Sequence, residues 1–299
     1  MPHRPEFTDF ASQADGADYV PVYRRLVSDT LTPVTGFHHL AGDDGEGGAV
    51  ACLFESVIGG EKVGRYSFVA SDPFLLVEAR GNQVTETEFD RFGEVARRTE
   101  TNDCDNPLEL LREAIGRYRV APTPGLPPFV GGAVGYAGYD TVRYVEHLPH
   151  APEDDRDLPD LSFAFFDHMV VFDNVQKTVT VIALADVARV AEEKELRGRY
   201  EDACARGDAL VAKLTDSEHP LAPTDIDTSG GVSGDYPSNF TQPEFEAAVE
   251  KCVEYIRAGD IFQVVLSQRL AAPLEADPFE VYRTLRVVNP SPFMFYLRT

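Results

Sequence analysis

Leu161-Ser162-Phe163-Ala164-Phe165-Phe166-Asp167-His168-Met169-Val170-Val171-Phe172, then Asp173-Asn174, then Thr178-Val179-Thr180-Val181-Ile182-Ala183-Leu184 amount to two apolar, β-branched and aromatic runs around an Asp-Asn turn. The pattern predicts a hairpin of strands over 161–172 and 178–184. Upstream, strand-like runs cover 32–39, 49–56, 65–69 and 74–79, with a glycine-rich turn at 42–48. Gly81-Asn82 predicts a tight turn into a strand over 83–89. Helical signals are interspersed. A short one covers 19–29, and Asn106-Pro107 opens another, with Leu108, Leu111, Ile115 and Tyr118 on one face. Residues 186–214 read as an exposed helix with both signs of charge. Strands dominate without regular strand–helix alternation, so the expected class is α+β with large, mostly antiparallel sheets.

The last third is more sharply punctuated. Residues 216–240, rich in Pro, Gly, Ser, Thr and Asp, read as a linker. Thr241-Gln242-Pro243-Glu244 is a capping box, followed by Phe245, Val249, Cys252 and Ile256 at helical spacing and Gly259 as the stop. A strand is expected over 261–270. Asp277-Pro278-Phe279-Glu280 caps a second helix ending near 287, and Asn289-Pro290-Ser291-Pro292 breaks it. The strand over 293–297 has no recognisable partner, which suggests an incomplete domain. The expected organisation is a frayed terminus at 1–18, a first region at 19–215, the linker at 216–240 and the start of a second domain at 241–299.

The chain has 299 residues and a formal charge of −23, with 43% hydrophobic residues and 12 Tyr and 19 Phe rings. It can bury a sizeable core and is not a disordered acidic tail. So negative a surface would not attract nucleic acid or an anionic membrane, and neither is an expected partner. No apolar run reaches the 18 or more residues of a membrane span, and the first residues lack a signal peptide's apolar segment. Four cysteines lie far apart without a CxxC pair, as in a reduced cytoplasmic protein. Of the 27 basic residues only Lys62, Lys177, Lys194, Lys213 and Lys251 are lysine. Excess carboxylate with scarce lysine resembles the surfaces of proteins from salt-accumulating halophiles.

Candidate chemistry is sparse. Gly131-Gly132-Ala133-Val134-Gly135-Tyr136-Ala137-Gly138 lacks the Lys-Ser/Thr of a phosphate loop, and close approach of two backbones is the expected use of its glycines. His38-His39 and His147 with His150 have no other ligands at metal spacing. Ser56 and Ser291 sit in no nucleophile elbow. Alternation along 261–270 puts Ile261, Gln263, Val265, Ser267 and Arg269 on one face, a row that fits either a pocket for an anion or a solvent-facing edge.

Several of these segments carry a resemblance. Leu53-Phe54-Glu55-Ser56 with Gly64-Arg65-Tyr66-Ser67-Phe68, and Phe129-Val130-Gly131-Gly132-Ala133-Val134-Gly135-Tyr136, resemble the N-terminal signatures of anthranilate synthase component I. Ala258 to Arg269 and Asn289 to Leu297 resemble the opening of that family's chorismate-binding region. The motifs occur in the family's order over most of 19–299. The resemblance implies a pair of large antiparallel sheets with helices packed between them. It also implies conversion of chorismate and ammonia to anthranilate and pyruvate, with Mg²⁺ on the substrate carboxylate, a glutamine amidotransferase as the partner supplying ammonia, and tryptophan as feedback inhibitor. By resemblance, Glu55 and Ser56 contact the tryptophan, and Pro292, Phe293 and Met294 wall its indole. The family often has Tyr where Phe293 stands.

A complete family member runs about two hundred residues further. The metal-binding glutamates, the catalytic histidine and most chorismate contacts are expected there, so this chain is expected to hold no metal ligand and to be inactive alone. Gln263 remains as an active-site residue. Relatives that add water to chorismate carry Lys at that place, whereas a Gln amide takes up no proton and suits ammonia as nucleophile. Aminodeoxychorismate synthase component I shares that Gln and is the alternative enzyme. A non-catalytic tryptophan-binding or amidotransferase-binding module is the other alternative.

Overall fold

A computed structural model describes residues 2–42, 50–56, 64–216, 218–228, 234 and 236–299. In chain order these form α1 (Phe7–Gln13), β1 (Tyr19–Val27), α2 (Pro33–Ala41), β2 (Ala51–Ser56), β3 (Tyr66–Ser71), β4 (Leu75–Arg80), β5 (Gln83–Phe89) and β6 (Val95–Thr101). They continue with α3 (Pro107–Gly116), β7 (Gly132–Ala137), β8 (Leu161–Phe166), β9 (His168–Asp173), β10 (Thr178–Asp186), α4 (Glu193–Leu214), α5 (Gln242–Ala258), α6 (Pro278–Val288) and β11 (Phe293–Arg298). Past Gly42, the turn expected at 42–48 lies outside the described residues.

The chain divides into two units, Met1–Pro223 with Leu285–Thr299, and Thr224–Thr284. The first is α+β and holds two antiparallel sheets, ordered β1-β10-β9-β3-β2-β11 and β6-β5-β4-β8-β7. Their facing sides share a core in which Ala164 and Phe166 of β8 meet Cys52, Met169, Val171 and Ile182. Leu161 and Phe165, on the other face of β8, pack with Val77, Leu111 and Ala114 of β4 and α3. Phe10 of α1 and Ala203 of α4 cover Val20 and Val22 of β1. Helices therefore flank the pair of sheets in this unit. Each fully buried Val, Leu or Phe contributes about 1.5–3 kcal/mol.

The opening hairpin is cut differently from expectation. β9 and β10 do pair around Asp173-Asn174, but β8 joins β4 and β7 in the other sheet. The chain changes sheets at Asp167, the only charged residue in its apolar run. There Arg206 Nη1 donates to Asp167 Oδ2 at 2.8 Å, His168 Nδ1 lies 2.9 Å from Oδ1, and the Leu184 amide donates to the Asp167 carbonyl. Burial alone would raise the Asp167 carboxyl; His168 and Arg206 reverse that and hold it below its ordinary value.

Two elements near the N-terminus exchange types. The stretch read as helical at 19–29 is β1, because it pairs with β10 in unbroken register from Tyr19↔Asp186 to Val27↔Thr178. Such long-range pairing overrides a weak local signal. The strand expected at 32–39 is α2, started by Pro33 and a reciprocal box in which Thr35 replaces the usual Glu. Residues 1–18 are not frayed throughout: α1 buries Phe10 completely. The helix expected to be exposed, α4, buries Ala203, Gly207, Leu210 and Leu214.

The glycine-dense stretch is strand β7, laid against β8 with Gly135 opposite Phe163. A Cβ at Gly135 would lie 1.9 Å from the Ser162 carbonyl oxygen. Close backbone approach is thus the use of this glycine, as expected.

The second unit contains α5 and most of α6. α5 is capped by Glu244, whose Oε2 accepts from the Thr241 amide at 2.9 Å, and stopped by Gly259 at φ +84°. The strand expected at 261–270 does not form. Among the described residues that stretch meets only one isolated bridge, Ser238 to Leu270, and Phe262 and Val265 stay 93% and 82% exposed. Alternation makes a strand only where a neighbour completes the ladder. The expected domain at 241–299 is also divided, since Leu285–Thr299 returns to the first unit.

Candidate functional site

β11 finds its partner in β2. The two strands run antiparallel with Phe293 opposite Ser56, Met294 opposite Glu55 and Phe295 opposite Phe54. Directly opposed residues share a face and successive residues alternate, so Glu55 and Met294 lie on one side of the sheet, Ser56 and Phe293 on the other. All four stand where β2 ends and β11 begins, and exposed Pro292 immediately precedes them. A ligand at the end of a ladder can touch both faces. The structure therefore assembles Glu55, Ser56, Pro292, Phe293 and Met294, over 200 residues apart in sequence, into one patch.

The patch borders a cleft of about 610 Å³ between the two sheets, wholly within the first unit. Its walls are mainly apolar: Phe54 and Phe295, with ring centroids 6.2 Å apart, Phe68 and Phe129 edge to face at 6.0 Å, and Val134 and Met169. Glu55 borders this lining and is 4% exposed, its side chain on the face opposite Phe54 and Phe295. A mostly apolar cleft with few polar groups suits a flat aromatic ligand that carries a charged end.

Glu55 is already engaged. Arg286, in the last turns of α6, donates from Nη2 to Oε1 at 3.0 Å, and its Nε stands 2.7 Å from Oε2. That Nε is buried and is not aligned for a hydrogen bond despite the short distance. The ion pair is thus close without being the parallel fork that arginine and carboxylate prefer.

Ser56 is held from the backbone side. Its amide donates to Ser67 Oγ at 3.4 Å, and Asn174 Nδ2 reaches the same oxygen at 3.2 Å. The Asn174 amide in turn donates to the Arg65 carbonyl. Arg65 grips buried Asp173 through Nε at 3.0 Å and Nη2 at 2.8 Å, while Asp173 Oδ1 accepts from the Val175 and Gln176 amides. Burial alone would raise the Asp173 carboxyl; Arg65 and the two amides outweigh it and hold the group low. The Gly64-Arg65-Tyr66-Ser67 run therefore clamps the β9–β10 turn against the end of β2.

Gln263 has no such setting. It is exposed, in the irregular stretch of the second unit. Among the described residues no three His, Cys, Asp or Glu side chains converge to hold a metal ion. The described residues do not form a site for the Mg²⁺ that the resemblance implies. No helix among them is long and apolar enough to cross a membrane.

Arg286 and Asn174 were missed from sequence. Arg286 follows the helical pattern of its neighbours, and nothing local signals a partner 231 positions away. Asn174 reads as a turn residue, which it also is.

Residues 72–299 match the chorismate binding enzyme family. The chain is 37% identical over 98% of its length to anthranilate synthase component 1 of Synechocystis sp., covering 56% of that protein. It is 38% identical, again over 98%, to the chloroplastic anthranilate synthase alpha subunit 2 of Arabidopsis thaliana, covering 48% of it. The crystal structure of anthranilate synthase component I from Streptococcus pneumoniae superposes with a TM-score of 0.56 at 28% identity, covering 90% of this chain and 53% of that one. The chain spans about half the length of the curated relatives it matches.

Proposed function

The chain belongs to the chorismate binding enzymes, and from that membership we propose that it serves as part of an anthranilate synthase component I. In this reading the complete enzyme converts chorismate, with ammonia from a glutamine amidotransferase partner, to anthranilate and pyruvate. The chain's own contribution is the inhibitor site for tryptophan at the end of the β2–β11 ladder. The single observation supporting it is the register of β11 on β2, with Glu55 and Ser56 opposite Met294 and Phe293. The Glu55 carboxylate would face the ligand's ammonium group, the Ser56 hydroxyl would bond its head group, and Phe293, Met294 and Pro292 would enclose the indole. Gln263 is retained as a residue compatible with ammonia chemistry, because its amide does not take up a proton.

The chain contains no tryptophan, so the indole emission of added tryptophan reports binding directly. Titration is expected to saturate and chorismate to leave it undisturbed. An absent signal, or displacement by chorismate, would remove the inhibitor site. Given chorismate, Mg²⁺ and ammonium, the chain alone is expected to form no anthranilate above a no-enzyme control; turnover would put the chemistry within these residues.

The charge of −23 with five lysines supports a further part of the proposal, that the protein works in molar salt. Repulsion among surface carboxylates is screened as the Debye length falls from about 10 Å at 0.1 M to about 3 Å at 1 M. The thermal midpoint is expected to climb between 0.1 and 2 M KCl. A flat or falling midpoint would exclude salt adaptation.

A further inference from the structure

We propose that a second, polar cavity of the first unit binds a small organic acid, its anionic oxygens held by Arg25 and Thr180. The inference does not rest on the tryptophan reading. Among the described lining residues the two cavities share Tyr66 alone.

Strand register builds this cavity. Arg25 of β1 stands opposite Thr180 of β10, and Thr180 opposite Val171 of β9. Directly opposed residues share a face, and Val171 belongs to the core between the sheets, so all three are on the inward side. Tyr19 and Tyr23, at alternate places along β1 before Arg25, pack into that core. An arginine thus follows two aromatic residues on one inward row, where the row reaches the exposed end of the strand. Gly125, Leu126 and Pro127 complete the lining of a space of about 340 Å³. That is near the lower end for ligand pockets and suits a small molecule.

Two groups in it lack the partners that their chemistry asks for. Arg25 donates from Nη2 to the Gly125 carbonyl at 2.8 Å, but among the described residues no carboxylate meets it, in a chain with 50 acidic residues. Thr180 is 3% exposed and lines the cavity, yet its hydroxyl makes no hydrogen bond among the described residues. A buried hydroxyl without a partner carries a free-energy cost that an incoming acceptor removes. Asp173 also lines the space, but Arg65 and two backbone amides already occupy its carboxylate. Arg65 and Asp173 cancel, so Arg25 leaves the lining one net positive charge. Guanidinium and hydroxyl can both donate to a carboxylate, and Val171 and Leu126 offer apolar surface for its carbon body.

Propionate is the probe, with propionamide as its uncharged counterpart and inorganic phosphate as a bare oxyanion. Titrated into the methyl-labelled chain at constant ionic strength, propionate is expected to shift the Thr180, Val171 and Leu126 methyl signals and to saturate. Propionamide should leave them in place. Arg25→Gln should weaken propionate roughly 10- to 150-fold, the loss of one hydrogen bond to a charged group. Thr180→Val should weaken it about 2- to 10-fold, while the thermal midpoint of the free chain holds or rises because an unbonded hydroxyl has gone.

Phosphate that binds more tightly than propionate would overturn the organic-acid assignment in favour of an inorganic anion. Equal shifts with propionamide would make the cavity merely apolar. Shifts that never saturate, or affinity unchanged in both variants, would leave Arg25 a solvated surface arginine. Should Arg25→Gln fail to fold, Thr180→Val decides.

Discussion

Replacing Gly135 with alanine is expected to destabilise the protein by more than about 4 kcal/mol, beyond the usual range for one substitution. The added Cβ would sit 1.9 Å from the Ser162 carbonyl oxygen and 2.7 Å from the Phe163 Cα, both backbone atoms of the paired strand. Neither can turn aside as a side chain would, so β7 and β8 must separate along a ladder that runs from Gly132↔Phe166 to Ala137↔Leu161. In a thermal melt this corresponds to a fall of at least about 8 °C, at roughly 2 °C per kcal/mol for a chain of this size. Gly198 provides the control. It lies in α4 with nothing within 4 Å of its would-be Cβ, and Gly198→Ala should raise stability by about 0.5–1 kcal/mol. A Gly135→Ala midpoint within about 2 °C of the parent would show that the strands part without cost.

Ser56→Phe is expected to weaken tryptophan binding roughly 10- to 150-fold. The lost hydrogen bond to a charged head group is worth about 1.5–3 kcal/mol, at about 1.4 kcal/mol per decade. The new ring would also enter the face that Phe293 occupies opposite it. Met294→Thr should weaken binding through lost packing from the other face of the ladder, and the double substitution should fall short of the sum, since both act on one ligand. Titrations of the chain with tryptophan, with circular dichroism confirming the fold, measure all three. Unchanged binding in both single variants would take the inhibitor away from this ladder. In a complete enzyme the same substitutions should spare the chorismate KM; a large rise with inhibition intact would make these residues part of the substrate site.

What the sequence disclosed was mainly local. The capping box at Thr241, the Asp277 side-chain cap, the Gly81-Asn82 turn and the Gly259 stop are set by the neighbours of each residue; they formed as read, except that Glu280 turns to Arg283 and Thr224. Errors arose where distant pairing decides. β1 resembles a helix until β10 lies beside it, and 261–270 has the alternation of a strand but meets only an isolated bridge among the described residues. The sheet change at Asp167 left a trace, one charge in an apolar run, but a charge does not announce that its partner is Arg206. Glu55, Ser56, Pro292, Phe293 and Met294 were named through resemblance; no periodicity brings them together. Arg286 stayed hidden because helical spacing describes the face of α6 and not what that face meets.

The pairing of β11 with β2 also has a consequence in time. Ser56 and Phe293 are 237 positions apart, counted from their paired numbers, and a ribosome adds roughly 5–20 residues per second. From the emergence of β2, its outer edge must wait about 12 to 47 s for the strand that will cover it. Throughout that interval a row of unpaired amides and carbonyls beside Leu53 and Phe54 is open to any passing strand. The patch around Glu55 is thus the last part of its sheet to exist during synthesis, and the nascent chain is most vulnerable to mispairing at the ladder proposed as its inhibitor site.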